Sequence, residues 1–200
     1  MSEVICLDLE GVLMPEVWIN VAKKTGIAEL KRTTRDEPDY DKLMRYRIGI
    51  LHREKIRLKD IQKVIGTLKP LPGAKAFLTR LRACRQVIIL SDTFYEFAEP
   101  MMKALDYPTL FCNFLNVKAS GYIRSHRMRQ HNGKEQSVRA LQTLKFRVRA
   151  AGDSYNDITM LKAANRGVLF CPPPNVVKDF PQFQVTRTYP ALFKALTDGR

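Results

Sequence analysis

Asp8-Leu9-Glu10-Gly11-Val12 sets two carboxylates two residues apart at the end of an apolar run, Val4 to Leu9. Alternate side chains of an extended segment share a side, so Asp8 and Glu10 can enter one site while Leu9 turns away, with Gly11 allowing a sharp turn behind them. Leu90-Ser91-Asp92-Thr93 closes a second apolar run in a hydroxyl and successive backbone amides. At a helix start that combination cradles an oxyanion or phosphate, although Ser or Thr followed by Glu96 also reads as an ordinary cap. Ala151-Gly152-Asp153-Ser154-Tyr155-Asn156-Asp157 follows a third run and leads toward Met160 and Leu161. Asp153 and Asp157 then fall one helical turn apart, and such hard oxygen donors suit magnesium, while an acidic helix start would equally suit the helix dipole. Lys134, in Gly133-Lys134-Glu135-Gln136-Ser137, would be a plain surface charge if the other three clusters did not need a cation.

Elements able to gather these residues are legible. Short runs rich in β-branched residues, Val4 to Leu9, Gln86 to Leu90, Thr109 to Cys112, Phe146 to Ala151 and Gly167 to Phe170, alternate with helical patterns. This is the signature of an α/β fold with a parallel sheet covered by helices. Asp8, Ser91 and Asp153 each stand at or just after the carboxyl end of a run, where open α/β sheets bind their ligands. Between the first two runs, Leu43, Met44, Ile48, Leu51, Ile61, Val64 and Ile65 recur at spacings dominated by three and four. They predict an inserted helical unit over 15–68, dividing a core of 1–14 and 69–200. Pro70, Pro72 and Gly73 mark the return loop, and a helix passes through Ala76, Phe77 and Leu81. A second excursion, Asn113 to Arg129, reads as a hairpin turning at Gly121. Lys145-Phe146-Arg147-Val148-Arg149-Ala150 alternates too strictly for a central parallel strand, so either one face is exposed or only the last residues join the sheet.

The four ordered clusters resemble the haloacid dehalogenase superfamily. More narrowly, Asp8-Leu9-Glu10-Gly11-Val12-Leu13, Leu90 to Phe97 and Ala150 to Asp157 resemble its phosphoserine phosphatases, and among them the branch combining that activity with homoserine phosphotransfer. The resemblance covers nearly the whole chain and implies a Rossmann-like sheet with an inserted helical cap. It implies that Asp8 is the nucleophile, forming an aspartyl-phosphate, and that Glu10 is the acid and base. Magnesium would be held by Asp8, the Glu10 carbonyl and Asp153, with Asp157 among or just behind its ligands. Ser91, Asp92 and Lys134 would bind phosphate. Glu16 would meet the substrate ammonium, Arg47 its carboxylate with Arg45 as competitor, and Asn156 the phosphate or the serine backbone. Most of the superfamily has Asp where this chain has Glu10, and we expect the longer reach to help activate an alcohol acceptor. Phe94, Tyr95, Phe97 and Trp18 read mainly as packing, and His126 and His131 lack partners at metal spacing.

The chain has 200 residues, with 34 Lys and Arg against 20 Asp and Glu, a formal charge of +14. That suits nucleic acid, anionic lipid or a phosphorylated small molecule. The acids are concentrated: residues 1–20, 91–106 and 151–161 hold ten acids and one Lys, leaving +23 on the rest. The balance favours an anionic small-molecule substrate over nucleic acid. A basic nucleic-acid binder on a phosphatase scaffold stays as the alternative from another class, motivated by Arg124, Arg127, Arg129 and the 145–149 segment. A phosphatase for another small phosphomonoester is the alternative within catalysis. No apolar stretch is long enough to span a membrane and no basic-then-apolar leader is present, so a cytoplasmic location is expected, with no membrane partner and a homodimer left open. Cys6, Cys84, Cys112 and Cys171 are scattered and read as buried, reduced thiols.

Overall fold

The computed structural model describes residues 2–33, 36–37 and 39–198. Strands β1 (Glu3–Leu7), β2 (Gln86–Phe94), β3 (Thr109–Val117), β4 (Ile123–Arg127), β5 (Arg147–Gly152), β6 (Arg166–Phe170) and β7 (Gln184–Thr186) form one sheet in the order β4-β3-β2-β1-β5-β6-β7. All pairs are parallel except β3–β4. The two-residue period of β1 is visible in its burial: Ile5 and Leu7 enter one core cluster, Val4 and Cys6 the other. Helices α4 (Ala74–Arg82), α5 (Tyr95–Ala104) and α9 (Tyr189–Thr197) cover the first face. Helices α6 (Gly133–Thr143), α7 (Ile158–Ala163) and α8 (Pro174–Asp179) cover the second. Between β1 and β2 the chain makes α1 (Val17–Thr25), a 3-10 turn Ala28–Lys31, α2 (Tyr40–Arg53) and α3 (Leu58–Ile65). The Asp39 carboxylate caps α2 by accepting from the Asp41 and Lys42 amides.

Four expectations are corrected. The run before Ser91 does not pass into a helix there. β2 continues to Phe94, but only through a break in its ladder with β3, because residues 91–93 lie between Leu90, paired with Phe111, and Phe94, paired with Asn113. The Glu96 side chain does not cap α5; it accepts from the Leu115 amide. β5 pairs with β1 from Arg147 to Ala151 and with β6 from Arg149 to Gly152, so it is a central strand, and its awkward Arg149 is 2% exposed. That charge is tolerated because Glu3 accepts from Nε and Nη2 and the Asp198 carbonyl from Nη1. Two thiols, Cys84 and Cys171, are exposed, whereas burial pushes those of Cys6 and Cys112 up to about 12. Strand β7 was not anticipated at all: Gln184-Val185-Thr186 is too short to show a period. The expected hairpin is present as β3 and β4, with Gly121 at φ +85 in its turn. Among the described residues no helix is long and apolar enough to cross a membrane.

Candidate active site

Asp8 follows β1 and remains tied to the sheet, its amide donating to the Ala151 carbonyl at 2.9 Å. The chain then turns tightly, with the Leu13 and Met14 amides both donating to the Leu9 carbonyl. Gly11 takes φ +80, and a Cβ there would lie 2.5 Å from Asp153, so this glycine admits both the turn and the approach of the third motif. Gly152 meets the same demand against Asp157, whose side chain fills the space a Cβ would need.

These turns collect the charges at the carboxyl ends of β1 and β5 and at the break in β2. Lys134, in the first turn of α6 and only 5% exposed, places Nζ 2.8 Å from Asp8 Oδ1, 2.7 Å from Asp157 Oδ1 and 3.4 Å from Asp92 Oδ2. Asp157 lies in a 3-10 turn, Tyr155–Asp157, beneath the cavity floor rather than on an α-helical face shared with Asp153. Its second oxygen accepts from the Asp153 amide at 2.9 Å and the Ser154 amide at 3.1 Å. One buried carboxylate thus fixes both the lysine and the backbone carrying Asp153. Oxygens of Asp8, Asp153 and Asp157 lie within 4.8 Å of one another.

Crowding has the expected electrostatic consequence. Burial and the neighbouring Asp157 hold the Asp8 carboxyl well above its ordinary range, against the pull of Lys134. Burial and Asp157 push Asp153 up to about 7. For Lys134 burial would lower the pKa, but Asp157 and Asp8 overcome it and raise it well above the usual value. Several acids around one ammonium leave an excess of negative charge with hard oxygen donors, which fits a small divalent cation. Glu10 stands apart from this group, with its Oε2 accepting from the Val17 amide at 2.7 Å, at the start of α1. Burial and nearby Glu16 push it up to about 8, the direction that suits a carboxyl acting as a proton donor.

A cavity of about 270 Å³ opens over these groups, and its lining includes Asp8, Glu10, Glu16, Arg47, Ser91, Asp92, Lys134, Asp153 and Asn156. The structure therefore brings every expected site residue to one place, with Asp157 directly behind it. Arg47 is 5% exposed, with its guanidinium 4.6 Å over the Trp18 ring, Nη2 donating to the Arg32 carbonyl at 2.7 Å, and Nε lacking a partner among the described residues. Arg45, on the exposed side of α2, pairs with Asp41 at 2.7 Å. Phe94 and Phe97 are core residues, and the Tyr95 hydroxyl donates to the Leu110 carbonyl. Trp18 does more than pack, because it lines the cavity and backs Arg47. Thr93, from the second motif, also lines the cavity, as do Thr33 and Tyr40, which were missed. No local pattern marks Tyr40, whose hydroxyl bonds the Asp92 carbonyl 52 residues away.

Comparison with known proteins identifies relatives of the chain. A family model, haloacid dehalogenase-like hydrolase, matches residues 3–165. The chain is 55% identical over 190 residues to "Phosphoserine phosphatase ThrH" of Pseudomonas aeruginosa, covering 95% of this chain and 93% of that one. It is 53% identical over 192 residues to "Phosphoserine phosphatase" of Pseudomonas syringae pv. tomato, covering 96% and 81%. A solved structure entitled "Phospho-Aspartyl Intermediate Analogue of Phosphoserine phosphatase" superposes with a TM-score of 0.80 at 19% identity, covering 98% and 99% of the two chains. At that identity the likeness concerns the fold.

Proposed function

The chain belongs to the haloacid dehalogenase-like hydrolases, and from that premise we propose that it is a cytoplasmic, magnesium-dependent phosphoserine phosphatase that also passes the phosphoryl group to homoserine. One observation carries the reading: a single cavity is lined both by a phosphate-type cluster, Asp8, Ser91 and Lys134, and by an opposite-charge pair suited to an amino acid, Glu16 and Arg47. The names of the two Pseudomonas relatives support the same substrate. Residues 15–68 act as a cap on a core of 1–14 and 69–200, contributing Glu16, Trp18, Tyr40 and Arg47.

Asp8 attacks phosphorus as the bond from phosphorus to the serine oxygen breaks, and the proton held by Glu10 goes to that oxygen. Lys134 and the Ser91 hydroxyl hold phosphoryl oxygens, so that an anionic nucleophile can approach an anionic ester. Glu10, now ionised, takes a proton from water or from the homoserine hydroxyl as that oxygen attacks phosphorus. The bond to Asp8 breaks, which releases phosphate or phosphohomoserine and frees the Asp8 carboxylate, and Glu10 is left protonated for the next turnover. Asp8, the Glu10 carbonyl and Asp153 would hold magnesium, with Asp157 behind them, and the ion would supply positive charge against the phosphoryl oxygens. Arg47 grips the carboxylate and Glu16 the ammonium.

Incubation with phosphoserine and magnesium, with and without homoserine, tests the assignment. Inorganic phosphate is expected in both arms and phosphohomoserine when homoserine is present. Failure to detect either product would refute it.

A further inference from the structure

The break in the β2–β3 ladder leaves three residues of β2, 91–93, opposite Cys112 alone. A backbone carbonyl in such a bulge loses its ladder partner and needs another. The Asp92 carbonyl has two, both side chains: the Tyr40 hydroxyl, from the first residue of α2, donates to it at 2.9 Å, and the Asn113 side-chain amide, on β3, at 3.2 Å. Asn113 is itself oriented, because its Oδ1 accepts from the Arg129 amide at 3.0 Å.

A trans peptide points its C=O and N–H in opposite directions, and the described residues contain no cis bond. Holding the Asp92 carbonyl toward Tyr40 and Asn113 therefore aims the Thr93 N–H the other way. That N–H meets Ser91 Oγ at 3.2 Å, and Ser91 and Thr93 both line the cavity.

We infer that Tyr40 and Asn113 are positioning residues for phosphate recognition, clamping the Asp92–Thr93 peptide so that the Thr93 N–H holds Ser91 Oγ and leaves the Ser91 hydroxyl proton to face the phosphoryl group. The inference rests on the phosphatase reading, and it ties the helical insertion to phosphate as well as to the amino-acid part of the substrate. Neither side chain takes part in the chemical steps.

Tyr40→Phe keeps the ring and deletes the donor. Asn113→Asp keeps the acceptor for Arg129 and deletes the amide. Dissociation constants of inorganic phosphate and of L-serine are measured by NMR titration with magnesium present, beside wild-type turnover of phosphoserine and a thermal melt of each variant. Each variant is expected to weaken phosphate binding by about three- to tenfold, the range of one hydrogen bond, with the L-serine constant within about twofold of wild type. Unchanged phosphate affinity in Tyr40→Phe would overturn the inference, as would equal weakening of both ligands or a wild type that does not bind phosphate. Wild-type turnover is a separate readout: if phosphoserine is not hydrolysed but phosphate binding falls selectively, the substrate assignment fails and the clamp stands.

Discussion

Glu10 is the residue whose environment decides most about the chemistry. An ordinary glutamate would be ionised at neutral pH and unable to protonate a leaving oxygen, but burial and Glu16 raise this one to about 8. The acid form is present below that value and is lost as pH rises through it. Phosphoenzyme formation, followed in a single turnover, should therefore fall above about pH 8, whereas Glu10→Gln should be slow throughout and lack that limb. An unchanged limb in the variant would assign the titration elsewhere. Arg47 and Arg45 make a second contrast, two residues apart on one helix with different surroundings. Arg47→Ala should raise KM for phosphoserine by about 10- to 100-fold, the worth of a charge-assisted carboxylate contact, and should leave KM for an aryl phosphate nearly unchanged. Arg45→Ala, losing only an exposed pair with Asp41, should stay within about twofold for both substrates. Equal effects of Arg47→Ala on the two substrates would favour a phosphatase of broader scope.

At the scale of elements, three strand ends do the positioning, and each is legible because an apolar run stops at a polar residue. What the runs conceal is how a strand ends. Ser91 belongs to a bulge held from outside by Tyr40 and Asn113, and these partners lie 52 and 21 residues from Asp92. No window of local sequence reaches so far, so Tyr40 was invisible for the same reason that its bond is informative. Arg149 misled in a different way. Its charge argued against a central strand, yet the opposing carboxylate of Glu3 and the end of α9 satisfy it. Arg149→Ala removes a buried side chain together with its bonds to Glu3 and the Asp198 carbonyl, leaving Glu3 with Arg85 alone, so it should lower unfolding stability by about 2 kcal/mol in urea titrations. Since its contacts lie toward the opening of β1 and away from the cavity, kcat should change little. A loss of activity without a loss of stability would contradict this division.

Across the whole molecule the net +14 is distributed so that most acids near the motifs lie inside or beneath the cavity. The surrounding excess of Lys and Arg then faces a substrate that is itself an anion. For such a field, kcat/KM for phosphoserine should fall several-fold between about 20 mM and 500 mM salt, as the Debye length shrinks from roughly 20 Å to about 4 Å. A flat profile would mean that the basic surface plays no part in substrate capture.

The central claim is that Asp8 carries the phosphoryl group. Incubation with radiolabelled phosphoserine and magnesium, an acid quench within the first turnover and peptide mapping should find the label on Asp8, sensitive to hydroxylamine as an acyl phosphate is, and absent from Asp8→Asn. Release of phosphate with no label on Asp8, or label retained in Asp8→Asn, would contradict the account.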